Sequence, residues 1–449
     1  MKNLKVKLIG YPENPQTMTV AAALSCFKEK SSDEILKELL SLPEEERLKK
    51  EKAVLKNSFG RGHGSVGDLT HFTFSIENLS RASTLFLCLP EYLEHLQQSL
   101  RRANASRGFY LPKSIEKSDL KNMTEEMLLY SFDFYERACD TGIPAEDARF
   151  LLPLNTKTNI TTTGNSRELC HLLSMSKSPG VPTETTEVVE QMIELASEKT
   201  PYLFEDLGFN YETLGWYPSS QLFSQFDISF RRLLNEVDKT SEFYQDSLPV
   251  ALLGSMNQLE NSVSDLEIAV RFRDESELAN LKHIHFEFLA GMSLACFHQA
   301  TRQRTWNHSV ESIYSAVEDA IINRQKRIVV PPSIEKSELK AEYIEINNKL
   351  INLYEELTMA GVEEHDAIGV IPHSLRVYDW IHINGWNAIY SIGKRACPEA
   401  QWEINGIAKK MTKLINHDCP VFKNFTKPQC LTFGKCPEEK KDCSYFQNA

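Results

Sequence analysis

Arg302 and Arg304, in the run Gln299-Ala300-Thr301-Arg302-Gln303-Arg304, stand two residues apart, and Gln97-Gln98-Ser99-Leu100-Arg101 sets a hydroxyl two residues before another arginine. Arg149 precedes Phe150-Leu151-Leu152-Pro153-Leu154-Asn155, and Arg395 precedes Ala396-Cys397-Pro398. Arginine forks make charge-assisted, bidentate bonds to phosphate, so these groups suit capture of a dianion. Alone, Arg302-Gln303-Arg304 also fits a solvated helix face. The charge balance narrows the partner: 50 Lys and Arg against 62 Asp and Glu give a net −12. An acidic chain argues against broad contact with nucleic acid or an anionic membrane. A phosphate-bearing partner is therefore expected to be small and held by a few placed arginines. No Walker loop, Rossmann glycine fingerprint or Ser–His–Asp arrangement is visible in the sequence.

The 449 residues allow two or three domains. The apolar stretch before Pro12 is too short for a signal peptide, and no run is long enough to span a membrane, so a cytoplasmic protein is expected. Six of the ten cysteines are isolated among apolar residues, whereas Cys419, Cys430, Cys436 and Cys443 crowd the end. Their spacing lacks the Cys-x-x-Cys pairs of a zinc ribbon. Structural zinc, an iron–sulfur centre and packed thiols all stay open, and no residue is assigned as a metal ligand.

The elements that must position these groups are written twice. Ser114-Ile115-Glu116-Lys117-Ser118-Asp119-Leu120-Lys121 returns 219 residues later as Ser333-Ile334-Glu335-Lys336-Ser337-Glu338-Leu339-Lys340. In the same register Gly142 meets Gly361, Ala148 meets Ala367, Pro153 meets Pro372 and Asn165 meets Asn384. Upstream, Ser80-Arg81-Ala82 answers Ser293-Leu294-Ala295 at 213, and His71-Phe72-Thr73-Phe74 answers His285-Phe286-Glu287-Phe288 at 214. The insertions that shift the register are expected in loops. Two homologous halves follow, 1–208 and 248–449, joined by a connector at 209–247.

Thr70 to Ile76 alternates with period two and reads as a strand. The residues from the early 80s to Arg101, and those from Lys121 to Thr141, have helical spacing. Gly142-Ile143-Pro144 and Gly361-Val362 stop the long helices, and Asp147-Ala148 and Asp366-Ala367 begin the next segment. Trp402 and Ile404 read as core, with Gln401 and Glu403 on the polar face. The expected class is α+β: two like domains, each a small, mostly antiparallel sheet packed by long helices, forming a pseudo-two-fold pair.

His63-Gly64-Ser65, the Gln97–Arg101 stretch, Ala148-Arg149 with Leu152-Pro153-Leu154-Asn155, the Gln299–Arg304 stretch and Ala400-Gln401-Trp402-Glu403-Ile404 together resemble the flavin-dependent thymidylate synthases. In that family Arg-x-Arg is followed by an acid or amide, then Ser and Arg. The resemblance covers most of both halves, but the pieces are divided between them. At the Arg-x-Arg position the first half reads Leu89-Pro90-Glu91; at the Ser-x-Arg position the second reads Ser312-Ile313-Tyr314. Arg149 is answered by Ile368, and Arg395 by Ser176.

The family site is shared by two subunits. The resemblance therefore implies one composite dUMP site, with Gln97, Ser99, Arg101 and Arg149 from the first half and Gln299, Arg302 and Arg395 from the second. The other composite would offer Phe86, Leu89, Ser176, Val310, Tyr314 and Ile368, none of them cationic. Arg101 and Arg149 would clamp phosphate, and Arg395 would stabilise negative charge on the uracil ring. His63, Ser65, Gln97, Asn165, Arg167, Arg302, Gln303 and Arg304 match FAD positions. Gln303 stands where the family usually has His, and Gln97 where it often has Glu. The implied reaction is reductive methylation of dUMP to dTMP, with methylenetetrahydrofolate giving carbon and NADPH giving reducing equivalents through FAD. A homodimer would reproduce the family tetramer. A nucleotide-binding pseudoenzyme and a related pyrimidine-modifying flavoenzyme are the rival readings.

Overall fold

The computed structural model describes residues 3–205, 222–225, 227–237, 243–256 and 266–436, with 438, 439, 443 and 445. Gly215-Trp216-Tyr217-Pro218 of the connector lies outside the described residues. The later connector contains a helix, Ile228–Val237. Among the described residues no helix is long and apolar enough to cross a membrane.

The chain forms two compact units, each drawing on both halves. One comprises Met1–Asp133, Pro153–Ser219 and Leu353–Ile371; the other comprises Phe134–Leu152, Ser220–Asn352 and Pro372–Ala449. The first holds strands β1 (Lys5–Gly10), β2 (His71–Ser80), β3 (Glu94–Gln97) and β4 (Lys157–Asn165) in the antiparallel order β1-β2-β4-β3. The second holds β5 (Val250–Met256), β6 (His285–Ser293), β7 (Asn307–Val310) and β8 (Arg376–Asn384) in the same order, β5-β6-β8-β7. This is the α+β class read from the sequence, with one topology used twice.

β2 buries Phe72, Phe74 and Ile76 on alternate positions, as the period-two pattern requires, but runs on to Ser80. One register shift between the repeats falls inside it rather than in a loop. A bulge between Glu77 and Leu79 leaves Asn78 at φ +62, whereas β6 pairs with β8 without interruption and is one residue shorter. The helical reading to Arg101 is corrected: the helix stops at Leu87, and β3 follows after a turn. Pro90 accounts for the stop, because it lacks an N–H and disfavours helical backbone at Leu89. The Lys121–Asp140 helix agrees with the sequence, and Gly142 and Gly361 take φ +90 and +83 just past the two long helices. Asp147 and Asp366 lie within single-turn helices, Ala145–Ala148 and Glu364–Ala367, rather than opening them.

The repeated Ser-Ile-Glu-Lys phrase has a structural reason. In the first unit Ser114 Oγ donates to Asp366 Oδ2 at 2.5 Å; in the second Ser333 Oγ donates to Asp147 Oδ2 at 2.5 Å. Each copy thus bonds a carboxylate from the other copy. Backbone bonds do likewise: Asn155 N–H reaches Gly369 O at 2.7 Å in the first unit, and Ser374 N–H reaches Phe150 O at 2.8 Å in the second.

Gln401 and Glu403 are buried, against the polar-face reading. Glu403 accepts the Ser293 amide at 2.8 Å and its hydroxyl at 2.5 Å, closing the start of the Leu294–Ala300 helix. In the first unit Glu184 takes the Ser80 amide at 3.1 Å and the Ser83 hydroxyl at 2.8 Å. Burial pushes the Glu184 carboxyl up to about 7, with the serines pulling the other way. The folded chain therefore holds this proton more tightly than the unfolded chain. The associated stability is present at low pH and is lost as pH rises from about 4.5 to about 7. Glu184→Gln should remove a pH-dependent loss on the order of 3 kcal/mol between pH 5 and 8. Equal pH slopes for the two proteins in denaturant titrations would count against this assignment.

Candidate active site

The second unit gathers six of the expected groups, Arg149, Gln299, Arg302, Gln303, Arg304 and Arg395. Helix Gly385–Arg395 ends at Arg395, whose Nη2 donates to Gln299 O at 3.3 Å. With the Gln303 amide oxygen turned toward it, Arg395 also donates from Nε at 2.7 Å and Nη2 at 2.6 Å. Arg302, Gln303 and Arg304 follow the Leu294–Ala300 helix in a turn, not on a helix face. That turn is fastened to the Gly385–Arg395 helix by Trp306 Nε1 on Ser391 Oγ at 2.6 Å and Asn387 Nδ2 on Thr305 O at 3.2 Å. Arg302 is exposed and Arg304 half-buried.

Arg149, a residue of the first half, lies in this same second unit. It is only 5% exposed and donates from Nε to Glu146 O at 3.1 Å. Arg149 and Arg395 both act on the fully buried Cys296. Burial dominates there and pushes the thiol well up, while the two guanidinium groups pull it down. Cys296 is therefore a protonated packing group and not a nucleophile. The Arg149 segment is held by Trp402, whose Nε1 donates to Asp147 Oδ1 at 3.0 Å and whose ring stacks on Phe150 at 6.0 Å.

The first unit carries the Gln97–Arg101 stretch at the end of β3. Gln97 Nε2 donates to Thr84 Oγ1 at 2.7 Å, leaving its amide oxygen as an acceptor. Ser99 is exposed and its Oγ accepts the Arg101 amide at 3.2 Å; Arg101 is half-buried. Two arginines missed in the sequence reading support this loop. Arg81 Nη2 donates to Gln98 O at 2.8 Å, and Arg107 bridges Gln98 Oε1 at 3.2 Å to Asn78 Oδ1 at 3.1 Å. The usable signal was Arg81 itself, which stands where the second half has Leu294.

His63 and Ser65 are exposed on the turn before β2. Arg167 pairs with Asp68 at 2.8 Å, tying that turn to the start of the Ser166–Ser176 helix. Asn165 caps this helix by accepting the Glu168 amide at 2.9 Å. The first unit therefore brings His63, Ser65, Asn165 and Arg167 into one neighbourhood, with Asn165 and Arg167 already engaged structurally.

The counterpart positions are apolar or small and largely buried. Phe86, Ser176 and Ile368 are buried in the first unit, where Leu89 is half-buried; Val310 and Tyr314 are buried in the second. The second half also has six more residues between Ser312 and Ser333 than the first has between Ser99 and Ser114. They go into a helix, Ile313–Ile322, where the first half keeps its Arg101 loop.

The model of the family described as thymidylate synthase complementing protein matches residues 7–202 and 264–421. The chain belongs to that family and carries its domain twice. It is an enzyme of the thymidylate synthase-like class. The flavin-dependent thymidylate synthase of Geobacter sulfurreducens is 31% identical over 209 residues, 46% of this chain and 87% of that protein. The one from Pyrococcus furiosus is 32% identical over 198 residues, 42% of this chain and 78% of that protein. A solved UMP/dUMP methylase, PolB from Streptomyces cacaoi with 5-Br dUMP, aligns at 19% identity and TM-score 0.39, over 47% of this chain and 96% of its own.

Proposed function

We propose that this protein methylates dUMP reductively to dTMP at one composite site per chain, with FAD as cofactor and methylenetetrahydrofolate and NADPH as co-substrates. The observation that carries the reading is the placement of Arg149, from the first half, in one compact unit with Gln299, Arg302 and Arg395 from the second. In the other unit the equivalent positions hold Ile368, Phe86, Leu89 and Ser176. Family membership and the names of the relatives support the chemistry. A homodimer supplying two such sites extends the same reading.

Arg101 and Arg149 would neutralise the phosphate, and the Ser99 hydroxyl, whose oxygen already accepts the Arg101 amide, keeps its hydrogen for a phosphate oxygen. Arg395 arrives oriented by Gln299 and Gln303, so little reorganisation is needed as negative charge grows on the ring. The donor set of the His63–Ser65 turn, with Arg167 beside it, fits a dinucleotide carrying a diphosphate, and Arg302, Gln303 and Arg304 supply further donors. Bound FAD would supply hydride transfer, which no side chain here provides.

The purified protein should be yellow and form dTMP from dUMP with both co-substrates. Arg101→Ala should weaken dUMP binding about 100-fold, the loss of a charge-assisted contact. Tyr314→Phe, at the apolar counterpart, should leave binding and a stoichiometry of one nucleotide per chain unchanged. Equal damage from both substitutions would overturn the single-site reading, and a protein that binds dUMP without turnover would place it among pseudoenzymes.

A further inference from the structure

Helix Ile313–Ile322 opens on a serine whose hydroxyl does not cap it. Ser312 stands at the N-cap, yet its side chain makes no bond to the first amides of the helix. Its Oγ donates instead to Ser224 O of the connector at 2.5 Å. The two amides beside it turn the same way. Ser312 N–H donates to Asp227 Oδ2 at 2.9 Å, and Ile313 N–H donates to Leu222 O at 2.7 Å. Three neighbouring donors of the second copy are thus met by three acceptors of the connector, all within one compact unit.

Ser312 and Ile313 stand where the first copy has Ser99 and Leu100. There, among the described residues, neither amide donates to a protein group, and the Ser99 hydroxyl accepts only the Arg101 amide. An anion cradle is built from N–H and O–H groups left unmatched in this way. The first copy leaves its donors open, whereas the second has spent them on its own chain.

Asp227 has the chemistry of an occupant. Its side chain is fully buried, and Arg231 Nε lies 3.7 Å from its Oδ1. Burial pushes the carboxyl up, against the pull of the Ser312 amide, Arg231, the Ser315 hydroxyl and Arg327. The connector helix Ile228–Val237 fixes its position. Phe230 packs with Leu289 and Tyr378, while Arg231 Nη2 donates to Ser315 Oγ at 2.8 Å and to Glu318 Oε2 at 2.5 Å. A tethered group acts at an effective concentration of about millimolar or above, so free nucleotide at lower concentration does not displace it.

We propose that the connector is a tethered occupant of the second copy's anion cradle, with the Asp227 carboxylate seated where a phosphate would lie. The inference rests on Ser99 being a phosphate ligand, as in the proposed function. The duplicated site is then shut by the chain's own carboxylate as well as by its lost arginine.

The test is hydrogen exchange in the full chain, read on the peptides that carry Ser99–Arg101 and Ser312–Tyr314, with inorganic phosphate and dUMP as probes. In the unaltered protein Ser312 and Ile313 should be protected without additive and indifferent to phosphate, whereas dUMP should slow exchange at Ser99 and Leu100. Asp227→Ala should speed exchange at Ser312 about 10- to 100-fold, the loss of a bond to a charged acceptor, and phosphate should restore the protection. A carboxylate that merely closes a helix end predicts the first effect without the second. Failure of phosphate to slow Ser312 in the variant would therefore overturn the proposal. Should Asp227→Ala fail to fold, Asp227→Asn keeps the shape but not the charge that bars a second anion. Indifference to phosphate at Ser312 in that variant would overturn the proposal equally. Fast exchange at Ser99 in the presence of dUMP would count against the nucleotide site instead, and the phosphate response at Ser312 would still decide the connector's role.

Discussion

Arg395→Ala is expected to cut dTMP formation by about 100- to 1000-fold while flavin absorbance per chain stays unchanged, the size of effect seen when one preorganised charge stabiliser is removed. The geometry gives the reason. Arg395 is gripped by the Gln299 carbonyl and, through two N–H groups, by Gln303, so its position is fixed before any nucleotide arrives. A charge held this way favours the transition state, in which the ring carries most negative charge, over the ground state. The loss should thus fall mainly on kcat. Gln303→Ala, which leaves the guanidinium but removes its guide, should cost less and should be partly restored by Gln303→Asn. A tenfold or smaller effect of Arg395→Ala on kcat would remove Arg395 from the chemistry.

Arg327→Met should destabilise the protein by about 3–5 kcal/mol, because it strands a buried carboxylate. Arg327 is 4% exposed and meets Glu311 through Nη1 at 2.7 Å and Nη2 at 2.8 Å. It also bonds Arg376 O at 3.1 Å, and its guanidinium lies 4.8 Å over the Tyr378 ring. Burial opposes the Arg327 charge, but Glu311 and Asp319 outweigh it and hold its pKa above the usual arginine value. A fall in melting temperature of roughly 10 °C follows for a unit of this size. The double variant Arg327→Met with Glu311→Leu should recover much of the loss, since an apolar pair needs no desolvated charge. If the double variant were no better than the single one, the stranded carboxylate would not be the cause. Glu311 stands where the first half has Gln98, beside Ser99 and Arg101. At this position the diverged copy thus pairs a carboxylate with Arg327, whereas in the first copy the neutral Gln98 takes Arg81 on its carbonyl and Arg107 on its amide oxygen.

The repeat was legible because Ser114 and Ser333 perform the same hydrogen bond in each unit, and a geometric task performed twice preserves its residues. β2 was legible from its alternation, and the ends of the long helices from Gly142 and Gly361. β3 was not, because four residues after a proline carry too little pattern to outweigh helical spacing. The burial of Glu403 was hidden for another reason: a carboxylate reads as solvent-facing unless its partner, Ser293, is known, and that partner is 110 residues away. The candidate site divided similarly. Its charged residues could be chosen by the complementary losses, but Arg81 and Arg107 act through backbone and amide groups of Gln98, which only folding brings to them.

Phe134–Leu152 packs with residues 372–449, and Leu353–Ile371 with residues 1–133. Cutting the polypeptide at its connector would therefore leave each fragment without a segment that completes its hydrophobic interior. Each repeat thus completes part of the core that the other mainly builds, and the two cannot be parted at the connector as self-sufficient domains.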